Sequence, residues 1–159
     1  MWWSRLFCVA CLIAAAGCGF SPVYAPSGPG SHLVGQIALP APVDRNQQLL
    51  HERLQDRMGA GSGYWLNTTV TTKTEGLGLT SDGSTTLYQL VGTVDYALID
   101  GATRSELLIG TTDAFSSYSA SGSTVSTAAA ERDATKRLMV ILADQVIDAL
   151  ILRWPEHPN

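Results

Sequence analysis

Past its eighteenth residue the chain has no cysteine: Cys8, Cys11 and Cys18 are the only three among 159 residues. No disulfide framework and no cysteine-ligated metal site can therefore exist inside the folded body. Charge is scarce as well, at 15 % of residues, where about a quarter is usual. No basic run occurs and the net charge is −4. That balance excludes a nucleic-acid binder, whose affinity comes mostly from neutralising phosphates. The histidines His32, His51 and His157 show no zinc-ligand spacing. No serine stands in a nucleophile-elbow pattern. The Gly/Ser stretches GLGLTSDG and SASGST lack the lysine of a phosphate loop. These absences predict no catalytic residue, no metal and no cofactor, hence a protein that is not an enzyme.

What is present begins with an address. Arg5 gives the front a positive charge, Leu6 to Ala16 is apolar, and Ala15-Ala16-Gly17 supplies small residues before Cys18. This is the three-part layout of a secretory signal peptide. The apolar run is shorter than the roughly 20 residues needed to cross a bilayer as a helix. Ala-Ala-Gly-Cys resembles a bacterial lipobox, in which the cysteine thiol receives diacylglycerol, the peptide is cut before it, and the new amine is acylated. Cys18 is thus the candidate lipidation site. Two or more acyl chains at ~0.8 kcal/mol per buried CH₂ make a stable anchor. Residues 1–17 are read as the signal peptide, and removing them takes away Arg5 and leaves a net charge of −5. The second mature residue, Gly19, is not aspartate, which by resemblance to lipoprotein sorting directs the chain to the outer membrane, facing the periplasm.

Residues 18–31, CGFSPVYAPSGPGS, carry too much proline and glycine for regular structure and read as a lipidated tether. The folded domain is placed at 32–154, with a tail at 155–159. LVGQIAL, Leu33 to Leu39, predicts a strand at a sheet edge, closed by Pro40. Asp44 with Gln47 fits a capping box, and Leu50, Leu54 and Met58 recur every four residues up to Gly59, which predicts an amphipathic helix. Tyr64 to Glu75 predicts a strand with Tyr64, Leu66, Thr68 and Val70 on one face. GLGLTSDGST then predicts a turn region. Thr86 to Asp100 alternates Tyr88, Leu90, Val94 and Tyr96 with Gln89, Thr93 and Asp95, the period of a half-buried strand. Gly92 within it marks either a bulge or a close packing approach. Asp100 to Thr103 turns into SELLIGTTDAFSSYS to make a long hairpin. A helix from about Thr124 to Trp154 follows, with Leu138, Ile141, Leu142, Val146, Ala149 and Leu150 as its buried stripe, widened by Met139, Ile147 and Ile151.

The implied fold class is α+β: a two-layer sandwich with two helices on one face of a four-stranded mixed, mostly antiparallel sheet. The uncovered face is expected to carry Thr, Ser, Gln and Asp. Lys73 and Arg104 lie on or beside the strands and are the candidate contacts for an anionic lipid head group.

Three blocks carry a resemblance. CGFSPVY at Cys18 to Tyr24, YQLVGTVDYALID at Tyr88 to Asp100, and FSSYSASGST with AAERDATKRLMVILADQVI between Phe115 and Ile147 are similar to the start, central strand, loop and closing helix of the lipopolysaccharide-assembly lipoprotein LptE family, alphaproteobacterial-type branch. The resemblance implies an outer-membrane lipoprotein that sits inside the lumen of the β-barrel LptD as a plug. The pair would insert lipopolysaccharide into the outer leaflet, with lipopolysaccharide itself as a second partner. Of the family's functional residues only Cys18 is carried over. Two other readings fit a lipid-anchored α/β domain: an auxiliary lipoprotein of a lipid-transporting ABC system, and a lipid-anchored hydrolase built on a Ser/His/acid cluster.

Overall fold

The computed structural model describes residues 32–79, 85–120 and 122–154. The signal peptide, Cys18, the tether, the tail with His157, and residues 80–84 of the expected turn lie outside the described residues. In chain order the elements are β1 (Ile37–Ala38), α1 (Arg45–Met58), β2 (Tyr64–Leu79), β3 (Thr85–Asp100), β4 (Glu106–Ser119) and α2 (Thr124–Arg153). The sheet order is β1-β2-β3-β4. β1 pairs with β2 in parallel, and the other two pairings are antiparallel. The parallel pair spans a helix, as parallel strands require a long crossover, while β2, β3 and β4 form a meander. The α+β two-layer reading therefore holds.

Local chemistry sets the ends of α1. Asp44 is extended (φ −145°) and its Oδ1 accepts from the Gln47 amide at 2.8 Å. The Gln47 side-chain oxygen accepts from the Val43 amide at 2.7 Å, one residue earlier than a capping box would have it. Gly59 (φ 73°) ends the helix, and its amide donates to the Gln55 carbonyl. For α2, Ser123 is the N-cap and accepts from the Ser126 amide at 3.3 Å.

The first strand is shorter than its apolar run. Only Ile37 and Ala38 pair with β2. Gly35 takes φ +72°, a backbone conformation that no strand holds. Its amide donates to the Met58 carbonyl at 2.6 Å, so residues 33–36 form a turn over the end of α1. Leu33 is still fully buried, which explains why the run is apolar. β2 errs in the other direction. It continues past Glu75 to Leu79, and Gly76 and Gly78 are absorbed by register shifts against β3. Backbone pairing with Tyr88, Leu87 and Thr85 outweighs the turn propensity of those glycines.

One core lies between the sheet and the helices. From the sheet come Leu66, Leu90, Val94, Tyr96, Leu98 and Leu108, from α1 Leu50, Leu54 and Met58, and from α2 Leu138, Met139, Leu142, Val146, Ile147 and Leu150. Gly92 causes no bulge: its register to Thr72 and Ala114 is unbroken. A Cβ there would stand 2.8 Å from Leu142 Cδ1 and 3.0 Å from Leu138 Cδ2. The glycine is thus the close approach that lets α2 settle on β3.

The expected stripe of α2 needs one correction. Ile141 is 40 % exposed, whereas Ala134 and Ala143 are fully buried. Ala134 and Ala143 lie between large buried residues on the side where α2 packs on both the sheet and α1, while Ile141 turns outward. Arg53 joins the helices through a two-pronged contact with Asp144, Nε to Oδ1 at 3.0 Å and Nη2 to Oδ2 at 2.9 Å. Arg57 adds a longer contact at 3.4 Å. At the far edge of the sheet, α2 protects β4: Arg153 donates to the Ile109 carbonyl at 2.9 Å and Arg137 to the Ser117 carbonyl at 3.1 Å. Filling edge carbonyls in this way discourages unplanned strand pairing.

Candidate functional site: the open sheet face and the helix groove

The helices cover one face of the sheet and leave the other bare. Paired residues on antiparallel strands point to the same side, so the register lists what that bare face displays. From the start of β2 upward the rows are Trp65–Ile99, Asn67–Ala97–Ile109, Thr69–Asp95–Thr111, Thr71–Thr93–Asp113, Lys73–Val91–Phe115 and Glu75–Gln89–Ser117. The middle is polar, as expected. Exposed apolar side chains flank it: Trp65 and Ile109 on one side, 38 % and 58 % exposed, and Phe115 on the other, 63 % exposed, with the Glu75–Gln89–Ser117 row beyond. The expected Thr, Ser, Gln and Asp are all on the face, and the apolar side chains lie to either side of its polar centre. The polar centre is partly self-satisfied, since Thr111 Oγ1 donates to Asp95 Oδ1 at 2.6 Å.

Lys73 lies on this face, where its ammonium contacts Glu75 at 2.7 Å. That hydrogen bond and the carboxylate's charge raise the Lys73 pKa above its ordinary value. Arg104 lies elsewhere, in the turn between β3 and β4, with the left-handed φ of 61°. The turn is tied by Asp100, whose Oδ1 accepts from the Ala102 and Thr103 amides at 2.8 and 2.7 Å. These bonds, with Thr103 first, hold the Asp100 carboxyl below the usual range. Lys73 is level with Val91, nine positions along β3 from Asp100. At about 3.3 Å per residue the two cations stand roughly 30 Å apart. They do not combine into one site.

A second concavity lies in the helix layer. Arg45 and Leu49 of α1 and Ala129, Arg132, Asp133 and Lys136 of α2 line a groove of about 380 Å³. No sequence pattern marks it, because its cations come from two helices far apart in sequence. The only local signal was Arg132 and Lys136, four residues apart and hence on one helix face.

The buried polar cluster is structural. His51, 4 % exposed, places Nε2 at 2.8 Å from the Thr68 hydroxyl. Gln47 Nε2 donates to the Thr68 carbonyl at 2.6 Å. The two side chains pin α1 to β2, and no described serine shares the cluster, so no Ser/His pair is assembled here. Among the described residues no three His, Cys, Asp or Glu side chains converge to hold a metal, and no described helix is long and apolar enough to cross a membrane.

The His51 pin has a pH consequence. Burial lowers the His51 pKa below 6.5. The folded state therefore binds this proton less readily than the unfolded chain. The neutral pin contributes fully above pH 6.5 and is lost as pH falls through the lower folded value. We expect the melting temperature to fall between about pH 7 and pH 5.5, before carboxylates titrate. His51→Gln should flatten that segment of the curve. An unchanged slope in the variant would assign the effect to other groups.

Comparison with known proteins agrees with this architecture. A crystal structure from Caulobacter crescentus CB15, described as a lipoprotein, superposes with a TM-score of 0.68 at 22 % identity, covering 84 % of this chain and 100 % of that one. The rare lipoprotein B of Shewanella oneidensis superposes with a TM-score of 0.58 at 16 % identity, covering 77 % and 98 %. A minor lipoprotein of Acinetobacter baumannii gives 0.53 at 21 % identity, covering 74 % and 90 %. At these identities the likeness is one of fold. No curated protein matches the sequence. The family described as LptE, lipopolysaccharide-assembly, matches residues 34–150, which run from the turn before β1 almost to the end of α2. The chain belongs to the LptE lipopolysaccharide-assembly family.

Proposed function

We propose that this chain is a non-enzymatic outer-membrane lipoprotein, held by diacylglycerol and N-acyl chains on Cys18, that partners and plugs an LptD-like β-barrel during insertion of lipopolysaccharide into the outer leaflet. The observation that carries the reading is the bare sheet face. It runs along β2, β3 and β4, strands of 16, 16 and 14 residues. At about 3.3 Å per residue it is roughly 50 Å long. A dry apolar partner would leave Asp113, Thr69, Thr71 and Thr93 unpaired at a cost of ~1–3 kcal/mol for each buried group. The interior of an outer-membrane barrel is polar, so such a wall can hydrogen-bond the centre of the face. Trp65, Ile109 and Phe115 supply the larger anchors that interfaces favour at their centres of affinity. Barrels of about 22 strands are wide enough to hold a plug, and a two-layer domain is of plug dimensions.

One experiment tests both the anchor and the partner. Cells labelled with radioactive fatty acid are solubilised from the outer membrane and the tagged chain is purified. A single large β-barrel should accompany it, and the chain itself should carry label. Cys18→Ala should remove the label, and label that persists rejects the anchor. Trp65→Asp combined with Phe115→Asp should reduce barrel recovery by at least about tenfold, equivalent to ~1.4 kcal/mol. Recovery of inner-membrane ATPase or substrate-binding subunits in place of a barrel would instead favour the ABC-transport reading.

A further inference from the structure

We propose that the groove between α1 and α2 is a binding site for a phosphomonoester, with Arg45, Arg132 and Lys136 as its anion-binding side chains. Charge bookkeeping singles the groove out. The protein is acidic, with 14 Asp and Glu against 10 Lys and Arg, yet three of those cations line this one depression. Elsewhere the described cations are largely engaged: Arg53 and Arg57 hold Asp144, and Lys73 holds Glu75. The one carboxylate in the groove, Asp133, is taken by Arg137 one turn further along α2. Among the described residues no carboxylate pairs with Arg45, Arg132 or Lys136. Arg132 is steadied by its own helix, because Nε donates to the Ala128 carbonyl at 3.0 Å. That bond uses Nε alone, and no described carboxylate takes the terminal nitrogens.

The chemistry follows from the count. Three uncompensated cations exceed what a single carboxylate uses and more than balance the charge of close to two that a phosphomonoester carries near neutral pH. Guanidinium groups suit phosphate because two parallel N–H donors fit two oxygens. Leu49 and Ala129 give the groove an apolar border, which suits the sugar or glycerol carbons next to an ester phosphate. A groove of about 380 Å³ lies at the small end of the ligand-site range of roughly 300–1,000 Å³. It has room for a head group and not for acyl chains. The site deepens the lipopolysaccharide-assembly reading and rests on it for the biological source of the phosphate, but its chemistry is independent of any barrel.

The test is a titration of the ¹⁵N-labelled full chain with inorganic phosphate, with micelles carrying phosphatidic acid, and with phosphatidylcholine micelles as control. Amide shifts should centre on Ala129, Arg132 and Lys136, and phosphatidylcholine should produce none. Saturation by inorganic phosphate alone identifies a soluble ligand, whereas a requirement for phosphatidic acid identifies a head group, and either sustains the phosphomonoester site. Arg132→Glu with Lys136→Glu should weaken binding at least about tenfold, with the melting temperature measured to show that the fold is kept. Lys73→Glu should leave binding unchanged. The proposal is overturned if the double variant binds equally well, if the shifts centre on Lys73 or Arg104, or if a polyglutamate peptide binds and phosphate does not. Loss of barrel recovery with phosphate binding intact would reject the partner reading alone.

Discussion

Leu142→Ala should lower stability by about 2–5 kcal/mol, the range for emptying a fully buried leucine position. Leu142 is 0 % exposed and stands over the notch that Gly92 leaves in β3. Leu138 shares that notch and is itself fully buried, so it can fill only part of the space that Leu142 vacates. Total stabilities of ~5–15 kcal/mol make this a large fraction of the fold. For a domain of this size the melting temperature should fall by roughly 10–20 °C. The informative control is the adjacent residue. Ile141 is 40 % exposed, so Ile141→Ala should cost less than about 1 kcal/mol. Thermal unfolding of the two variants side by side checks the rotation of α2 about its axis. Equal losses would mean that the helix presents a different face to the sheet.

That pair also shows where sequence reading ran out. Ile141 and Leu142 are equally apolar and adjacent, and a stripe wide enough to cover two neighbours admits both. Only packing decides, through Gly92 beneath Leu142 and through Ala143 facing inward. The elements whose ends depend on nearby atoms were legible: α1 from Asp44 and Gly59, the β3–β4 hairpin from Asp100, and β3 from its own alternation. Elements that depend on distant partners were not. β2 runs on through Gly76 and Gly78 because β3 pairs with them, and the first half of the run from Leu33 to Leu39 becomes a turn because Met58 takes the Gly35 amide.

The same division holds for the candidate sites. The polar centre of the open face followed from Thr93 and Asp95. The apolar flanks did not, because Val91 and Ile99 sit in a strand whose other face is also apolar, and period alone cannot assign them. The groove needs Arg45 brought beside Arg132, a contact between residues far apart in sequence. Lys73 and Arg104 both lie on or beside strands, yet strand geometry sets them roughly 30 Å apart. A linear reading finds cations but not their distance from one another or from a neutralising carboxylate.

Gly61→Val is the substitution expected to damage the sheet most directly. A Cβ at Gly61 would stand 2.2 Å from the Gly35 carbonyl oxygen and 2.5 Å from Gln36 Cα. These are backbone atoms, so no rotamer change relieves the clash, and the β-branched valine adds bulk where there is least room. The segment 33–38 has to move away from β2. Its attachment consists of the Gly61 amide on the Ile37 carbonyl at 3.0 Å, the Tyr64 amide on the Gln36 carbonyl at 2.9 Å and the Gly35 amide on the Met58 carbonyl. Moving it also exposes Leu33 and Ile37, which are 0 % and 4 % exposed, at ~1.5–3 kcal/mol for each side chain. The expected loss is therefore about 3–6 kcal/mol, with hydrogen-exchange protection at Gly35, Gly61 and Tyr64 collapsing before that of the β3–β4 hairpin. Gly35→Ala isolates the backbone contribution. Its φ of +72° is unfavourable for alanine, but nothing lies within 4 Å of the added Cβ, so only about 1–2 kcal/mol should be lost. If Gly61→Val were no worse than Gly35→Ala, β1 would not be seated against β2 as described.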